Sequence, residues 1–205
     1  MKKVLIILGI LLCAAALPFS SMLTETLTAQ TLPIKAEVKE GDVIFQTSQS
    51  EQSPLIQAAT RSKITHCGII VMRKGKPYVL ETLNTLVLTP LDKFIARGKD
   101  GKYWLKRSDK ENIKIDYSAY LGKKYDLAFS FDNNIYYCSE LVYDIYKNQL
   151  GIELCKPKKV DDYLILCADR IPQIKSAMKK RGISKEQYVV APVDIFESKH
   201  LKSVK

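Results

Sequence analysis

Cys138 and His66 have the side-chain types and the surroundings that thiol-based catalysis requires. Cys138 stands where the polar segment 132–134 gives way to a helical pattern of apolar residues, so its sulfur is expected at a helix N-terminus. The partial positive charge at such a terminus lowers the pKa of a thiol. A cysteine hydrolase also needs an imidazole to carry a proton. Of the two histidines, His200 lies near the C-terminus, which leaves His66 as the candidate base. The structural alternative for Cys138 is an inert cysteine buried on a core helix.

Glu81 is the candidate for the polar group that orients the imidazole. Two apolar, β-rich runs flank Arg73-Lys74-Gly75-Lys76, which predicts a β-hairpin. A turn with an even number of residues places Glu81 opposite Gly68, on the same face as its diagonal neighbour His66. An odd-numbered turn would move Glu81 to the other face. The alternative is an ordinary edge histidine and an unrelated surface glutamate.

The other cysteines give weaker signals. Side chains alternate along a strand, so Cys67 is expected on the face opposite to His66, which argues against Cys67 as the partner of that imidazole. Cys155 and Cys167 flank a lysine-rich segment and a helix start, a spacing that permits a disulfide without requiring one. The chain has no C-x-x-C spacing, so we predict neither a zinc site nor any other cofactor.

The elements that must position these residues are strands and short helices, followed by one longer helix. We expect strands over 42–46, 66–72, 77–81, 102–107 and 188–190, with 85–88 extending the sheet. We expect helices over 53–60, 89–97, 136–150, 161–180 and 191–196. Ser53 and Thr89, each followed by proline, are predicted N-caps. This order predicts an α+β domain in which helices pack on an antiparallel sheet.

The N-terminus has the layout of a secretory signal peptide. Lys2-Lys3 precede a 14-residue apolar stretch and then small residues, so we predict a cleaved signal over 1–21 and a periplasmic or secreted mature protein. The stretch is shorter than the roughly 20 residues of a spanning helix, so we predict no permanent membrane span. We expect residues 22–40 to form an N-terminal tail and residues 41–205 a single domain.

Size and charge exclude some classes of protein. The 205 residues are too few for a long solenoid or a large two-domain enzyme. The formal charge of +10, from 32 basic and 22 acidic residues, permits anionic partners such as an acidic envelope polymer. The lysines are spread along the chain without an aromatic-interleaved cluster, so nucleic-acid binding is not predicted.

Several segments, in this order, resemble the circularly permuted, papain-like cysteine hydrolases of the NlpC superfamily, in particular the YiiX-like exported proteins. The permuted members place the histidine first, the polar third residue next and the nucleophilic cysteine last, as here. The matching segments are Gly41-Asp42-Val43-Ile44-Phe45-Gln46, Ser62-Lys63-Ile64-Thr65-His66-Cys67-Gly68-Ile69, Tyr78-Val79-Leu80-Glu81, Thr89-Pro90-Leu91, Tyr120-Leu121-Gly122-Lys123-Lys124-Tyr125-Asp126 and Tyr137-Cys138-Ser139-Glu140-Leu141-Val142.

The resemblance implies a circularly permuted papain-like (NlpC-type) α+β fold, with an antiparallel sheet or barrel and packed helices. It implies Cys138 as nucleophile, His66 as general base and acid, Glu81 as orienting group, and Tyr125 as a residue of the substrate pocket or the oxyanion side. Cys67 departs from the family pattern, which has an apolar or small residue after the histidine. The implied substrates are cell-wall peptides or lipid-linked amides and esters, cleaved through a thioester.

Two other functions are compatible with these residues. The first is a non-catalytic envelope-binding module with the same fold, which loss of a triad residue would have favoured. The second is a structural protein held together by disulfides among its four mature cysteines, and it predicts no free thiol.

Overall fold

The computed structural model describes residues 30–31, 34, 36–131, 133–165 and 171–204. The predicted signal peptide and Cys167 lie outside the described residues. Within the described ranges, no helix combines the length and the apolar character that crossing a membrane requires. Within the predicted tail 22–40, the Gln30 backbone N–H donates to Tyr103 O (2.8 Å) and Ala36 is buried. These two residues of the tail therefore pack onto the domain.

The described residues form a six-stranded sheet in which all neighbouring strands are antiparallel, as predicted. Its strands are β1 (Val43–Gln46), β2 (His66–Arg73), β3 (Lys76–Thr82), β4 (Leu86–Pro90), β5 (Trp104–Arg107) and β8 (Lys202–Ser203), in the order β4-β3-β2-β1-β5-β8. Two further strands, β6 (Lys158–Lys159) and β7 (Tyr188–Val189), pair separately.

The helices follow the predicted order, except that one predicted helix is described as two. They are α1 (Ser53–Thr60), α2 (Leu91–Arg97), α3 (Cys138–Leu150), α4 (Val160–Ile165), α5 (Ile171–Arg181) and α6 (Pro192–Phe196), with a 3-10 turn over Lys99–Gly101. The single helix predicted for 161–180 is described as α4 and α5, and residues 166–170 between them lie outside the description. Gly151 ends α3 in the left-handed conformation that glycine adopts readily (φ 70°).

Side-chain alternation divides the apolar residues of the sheet between two helix layers. Cys67 and Ile69 belong to the larger buried cluster, which includes the apolar face of α3. Ile70 and Val79 belong to a second cluster with Phe94 and neighbouring residues of α2. The sheet therefore has α3 on one face and α2 on the other, and β2 contributes to both.

The β2–β3 hairpin has the even-numbered turn on which the predicted position of Glu81 depends. Lys74 and Gly75 both have positive φ (51° and 73°), as a two-residue type I′ turn requires. Arg73 pairs with Lys76 at the turn, and Ile69 pairs with Leu80 farther along, so the register is the one that sets Glu81 opposite Gly68.

Both predicted N-caps are wrong by one position. Gln52 precedes α1, and the Ser53 hydroxyl instead forms a 2.8 Å hydrogen bond with the buried Thr65 hydroxyl. Pro90 precedes α2, while Thr89 is a residue of β4. The Ser53 hydroxyl contacts Thr65 and the Thr89 hydroxyl contacts Glu81, so each side chain makes a tertiary contact in place of the predicted helix cap.

We expect Gly68→Ala to lower the free energy of unfolding by about 1–3 kcal/mol, because overpacking a core costs about this much. A Cβ at Gly68 would lie 2.5 Å from Val79 Cγ1 and 2.7 Å from the Leu80 carbonyl oxygen. Urea unfolding measures the change. Arg73→Ala, at the exposed end of the same strand, is the control and should change stability by less than about 0.5 kcal/mol. A Gly68→Ala protein as stable as the wild type would contradict this packing.

Candidate active site

His66 and Glu81 form a buried hydrogen bond across the hairpin. Their Nε2 and Oε2 atoms are 2.7 Å apart, and Glu81 has no exposed surface. Gly68 leaves the space between the two strands open for this contact, since its missing side chain would meet Glu81 Cβ at 3.3 Å. The Phe94 ring stacks on the imidazole at 5.6 Å between centroids and so restricts its rotation.

The other side of the Glu81 carboxylate is bound by Arg97 and Thr89, neither of which the sequence assigned to the site. Arg97 Nη2 at the end of α2 donates to Glu81 Oε1 at 2.5 Å, and the Thr89 hydroxyl is a further partner. Burial alone would raise the pKa of Glu81, but the hydrogen bond and charge of His66, together with Thr89 and Arg97, lower it. Glu81 is therefore an ionised carboxylate with a fixed orientation.

The start of α3 fixes the position of Cys138. Its neighbours are hydrogen-bonded to Val190, the residue after β7: Ser139 Oγ donates to Val190 O at 2.6 Å, and the Val190 N–H donates to Tyr137 Oη at 3.1 Å. Cys138 is the first helical residue, so its sulfur lies in the positive end of the helix dipole. Its side chain is buried apart from a small opening.

Cys138 interacts with His66 as a thiolate with an imidazolium. A hydrogen bond from Cys67 and the charge of His66 overcome burial and hold the pKa of Cys138 well below its usual range. Burial alone would lower the pKa of His66, but the charge and hydrogen bond of Cys138, together with Glu81, raise it to about 10. Cys138, His66 and Glu81 thus form one chain of contacts, in the order that a thiol nucleophile, its base and an orienting group require.

The two shifts define the pH range of the charge pair. The raised pKa of His66 contributes stability that is complete below its unfolded value of about 6.5 and is lost as the pH rises through about 10. The lowered pKa of Cys138 contributes stability that is complete above its unfolded value and is lost as the pH falls through its folded value. The Cys138 thiolate and the His66 imidazolium are therefore the main charge states from the folded-state pKa of Cys138 up to about pH 10.

Tyr125 lines the same two cavities as Cys138. Burial and the charge of Cys138 raise its pKa well above the usual range, so the phenol stays protonated. Its hydroxyl donates to Gln52 Oε1 at 3.2 Å, which ties it to the residue before α1. Tyr125 is thus a wall residue of the site.

Two cavities that differ in polarity meet at Cys138 and Tyr125. The apolar pocket, with a volume of about 740 Å³ including its open mouth, has almost no polar surface and lies between α1, α4, α5 and the segment around Val190. The polar cleft, about 1320 Å³ by the same measure, also reaches His66. Its other polar residues include Gln46, Gln49, Gln52, Thr65, Thr82, Asn84 and Arg97. Cys138 borders both cavities, whereas His66 borders only the cleft.

The cysteines of the described part of the chain are free thiols. Cys67 and Cys138 are buried and Cys155 is half-buried, and none of the three forms a disulfide. The prediction of a fold held together by disulfides among Cys67, Cys138, Cys155 and Cys167 is therefore wrong. Cys67 lies on the α3 face of β2, as alternation predicts, and there it donates to Cys138.

Comparison with known proteins agrees with this fold and site. Residues 37–205 match the model of the permuted papain-like amidase enzymes, the YaeF/YiiX or C92 family. The uncharacterized protein YiiX of Escherichia coli K12 is 37% identical over 174 residues, covering 80% of this chain and 84% of YiiX. A crystal structure titled as the metalloprotein YiiX of Escherichia coli O157:H7 has a TM-score of 0.71 and 35% identity, covering 82% of this chain and 96% of that one.

The chain therefore belongs to the permuted papain-like amidase family, which makes a cysteine-hydrolase role the general expectation. The description as a metalloprotein belongs to the Escherichia coli protein. Among the side chains described for the present chain, no group of three or more His, Cys, Asp or Glu is placed to hold a metal ion.

We expect iodoacetamide to label Cys138 at pH values well below the usual thiol pKa of about 8.5, because the reactive form is the thiolate. His66→Ala should slow labelling at pH 6.5 by about tenfold or more, since an adjacent opposite charge shifts a pKa by about one to three. Mass spectrometry of the tryptic peptide 125–147, in which Cys138 is the single cysteine, gives the rate.

His200→Ala is the matched control, because His200 is the other histidine and is exposed. It should leave the pH profile of labelling unchanged. Equal labelling of the wild-type and His66→Ala proteins at low pH would contradict the charge pair.

Proposed function

We propose that this protein is a cysteine hydrolase that cleaves an amide or ester bond through Cys138, His66 and Glu81. The observation that carries the proposal is the buried contact chain from Glu81 through His66 to Cys138, which ends where two cavities meet. From the N-terminal pattern we also propose that it acts in the periplasm or outside the cell, where its positive charge favours contact with anionic envelope polymers.

Each step has a residue to carry it. The Cys138 thiolate attacks the carbonyl carbon, and backbone N–H groups at the start of α3 stabilise the oxyanion. The His66 imidazolium gives its proton to the leaving amine or alcohol as the carbon–nitrogen or carbon–oxygen bond breaks, which leaves a thioester on Cys138. Neutral His66 then takes a proton from water, and the hydroxide formed displaces the thiolate and releases the acid. Glu81 fixes the tautomer of His66 and stabilises its charge.

The position of His66 orients the substrate. The leaving group must lie on the side of the general acid, which is the polar cleft. The acyl group then points the other way from Cys138, into the apolar pocket. We therefore propose an apolar acyl chain joined to a polar alcohol or amine as the substrate, in preference to a cell-wall peptide, whose acyl half would bring polar amide groups into a pocket that offers them no partners.

A non-catalytic envelope-binding module is the second candidate. It requires neither a thiolate nor a buried imidazole beside it, and no specific contact of the described site favours it.

We expect Glu81→Gln to lower kcat by about 100-fold or more with little change in KM, because the neutral amide no longer stabilises the imidazolium. Cys138→Ala should reduce hydrolysis to the uncatalysed rate. Hydrolysis of p-nitrophenyl esters, followed by absorbance, measures both. Glu51→Gln, at an exposed glutamate, is the control and should behave as the wild type. Full activity in the Cys138→Ala protein would exclude the proposed mechanism.

We expect kcat/KM for straight-chain p-nitrophenyl esters to rise by about fourfold for each added methylene until the apolar pocket is filled, since each buried CH₂ contributes about 0.8 kcal/mol. Ala59→Phe, on the wall of that pocket, should reduce kcat/KM for the dodecanoyl ester at least tenfold more than for the acetyl ester. Esters from two to twelve carbons provide the series, with the Cys138→Ala rate subtracted.

Ala119→Phe adds the same ring at an exposed position and is the control for the pocket variant. It should retain the chain-length dependence of the wild type. An equal rate for all chain lengths, or cleavage restricted to peptide amides, would overturn the proposed substrate class while leaving the triad intact.

A further inference from the structure

Cys67 is a buried thiol that the proposed hydrolysis does not consume. It is the second residue of β2 and has no exposed surface. Cys67 and Cys138 belong to the same buried cluster between β2 and α3, and each thiol shifts the pKa of the other as a hydrogen-bonding neighbour. Two thiols that are neighbours across packed elements can be joined without large backbone movement.

The two thiols differ in access and in reactivity. Cys138 borders both cavities, whereas Cys67 borders neither of them. Burial and the adjacent Cys138 raise the pKa of Cys67 well above its usual range, so Cys67 stays a thiol while Cys138 is a thiolate. A small oxidant that enters the polar cleft therefore reaches Cys138 first. A low-pKa, accessible thiolate beside a second cysteine is the arrangement of reversible redox sites.

We propose that Cys138 and Cys67 form a reversible disulfide site, in which a hydroperoxide oxidises Cys138 and Cys67 resolves the product. The Cys138 thiolate attacks the distal oxygen of the hydroperoxide, the O–O bond breaks, and the alkoxide or hydroxide that leaves takes a proton. Cys138 becomes a sulfenic acid. The Cys67 sulfur then attacks Cys138 Sγ, the S–O bond breaks, and the proton of Cys67 leaves with the hydroxyl group as water. An external dithiol restores both thiols by exchange.

The disulfide has two consequences for the site. It removes the nucleophile, so hydrolysis stops until the bond is reduced. It also consumes the sulfenic acid before further peroxide converts it to the sulfinic and sulfonic acids, which dithiols do not reduce. Cys155 is the competing partner to consider, because it is half-buried and near enough to Cys67 to contribute to the raised pKa of that thiol.

Tryptic mapping distinguishes the pairings after treatment with hydrogen peroxide. Cys67 lies in peptide 64–73, Cys138 in 125–147, Cys155 in 148–158 and Cys167 in 160–170, with one cysteine in each. We expect wild-type protein to lose two hydrogen atoms in its intact mass, to give a cross-link between 64–73 and 125–147, and to recover its free thiols with dithiothreitol.

Variants at Cys67 test its resolving role. Cys67→Ala and Cys67→Ser should give no cross-link, and their Cys138 should accumulate two or three oxygen atoms that dithiothreitol does not remove. Two variants are used so that one remains if the other fails to fold. Cys155→Ala is the matched control, a free thiol outside the pair, and should form the same cross-link as the wild type.

Three outcomes would overturn the proposal. They are a cross-link of 64–73 to 148–158, equal overoxidation of Cys138 with and without Cys67, and Cys138 that does not react with peroxide. The readout is mass, so it does not depend on hydrolysis. A wild-type protein that forms the cross-link but cleaves no ester would retain the disulfide site and lose the proposed substrate, and the two failures are thus distinguishable.

Discussion

The buried carboxylate of Glu81 is the interaction on which the rest of the site depends. An isolated ionised carboxylate in a protein interior costs several kcal/mol, so it must have charged or hydrogen-bonding partners. His66, Arg97 and Thr89 supply them from β2, α2 and β4. A slip of one residue in the β2–β3 register would turn Glu81 into the apolar cluster on the α3 face, away from all three. The requirement to pair this charge therefore favours one register of the hairpin and one position of α2.

The same charge determines the ionisation state of Cys138. Because Glu81 and the Cys138 thiolate both stabilise a protonated His66, the imidazolium persists in a setting where burial alone would make it neutral. The imidazolium in turn holds Cys138 as a thiolate at the N-terminus of α3. Three buried ionisable groups are thus stabilised as a set, and removing one leaves the others with an uncompensated charge. Effects of substitutions at these positions should not be additive.

The sequence predicted the β2–β3 hairpin and the separation of His66 from Cys67 by alternation, because both depend on local pattern. It left open whether the turn has an even or an odd number of residues, and the two-residue turn at Lys74-Gly75 settles the register. The local pattern does not predict which helix packs on each face of the sheet. Thr89 was assigned to a helix cap because the cap pattern is local, while its contact with Glu81 depends on the pairing of β4 with β3. Arg97 was missed for the same reason.

Cys67 illustrates the same limit. Alternation correctly excluded it as the partner of His66, yet the opposite face of β2 is the one on which α3 packs. The packing of α3 on that face places Cys67 beside Cys138. This proximity depends on tertiary structure and has no signal in the local sequence pattern.

The packing around the two cavities separates the contacts of Cys138 from the outer wall of the apolar pocket. Cys138, His66 and Glu81 lie against the large clusters on the two faces of the main sheet. Among the described side chains, the pocket is bounded on the side of α1, α4 and α5 by a separate cluster, centred on Leu164, Ile174 and Met178. Substitutions at positions that share no partners have nearly additive effects on stability. A change in this wall should therefore leave the Cys138–His66–Glu81 contacts in place, so the shape of the pocket can vary independently of the buried charges.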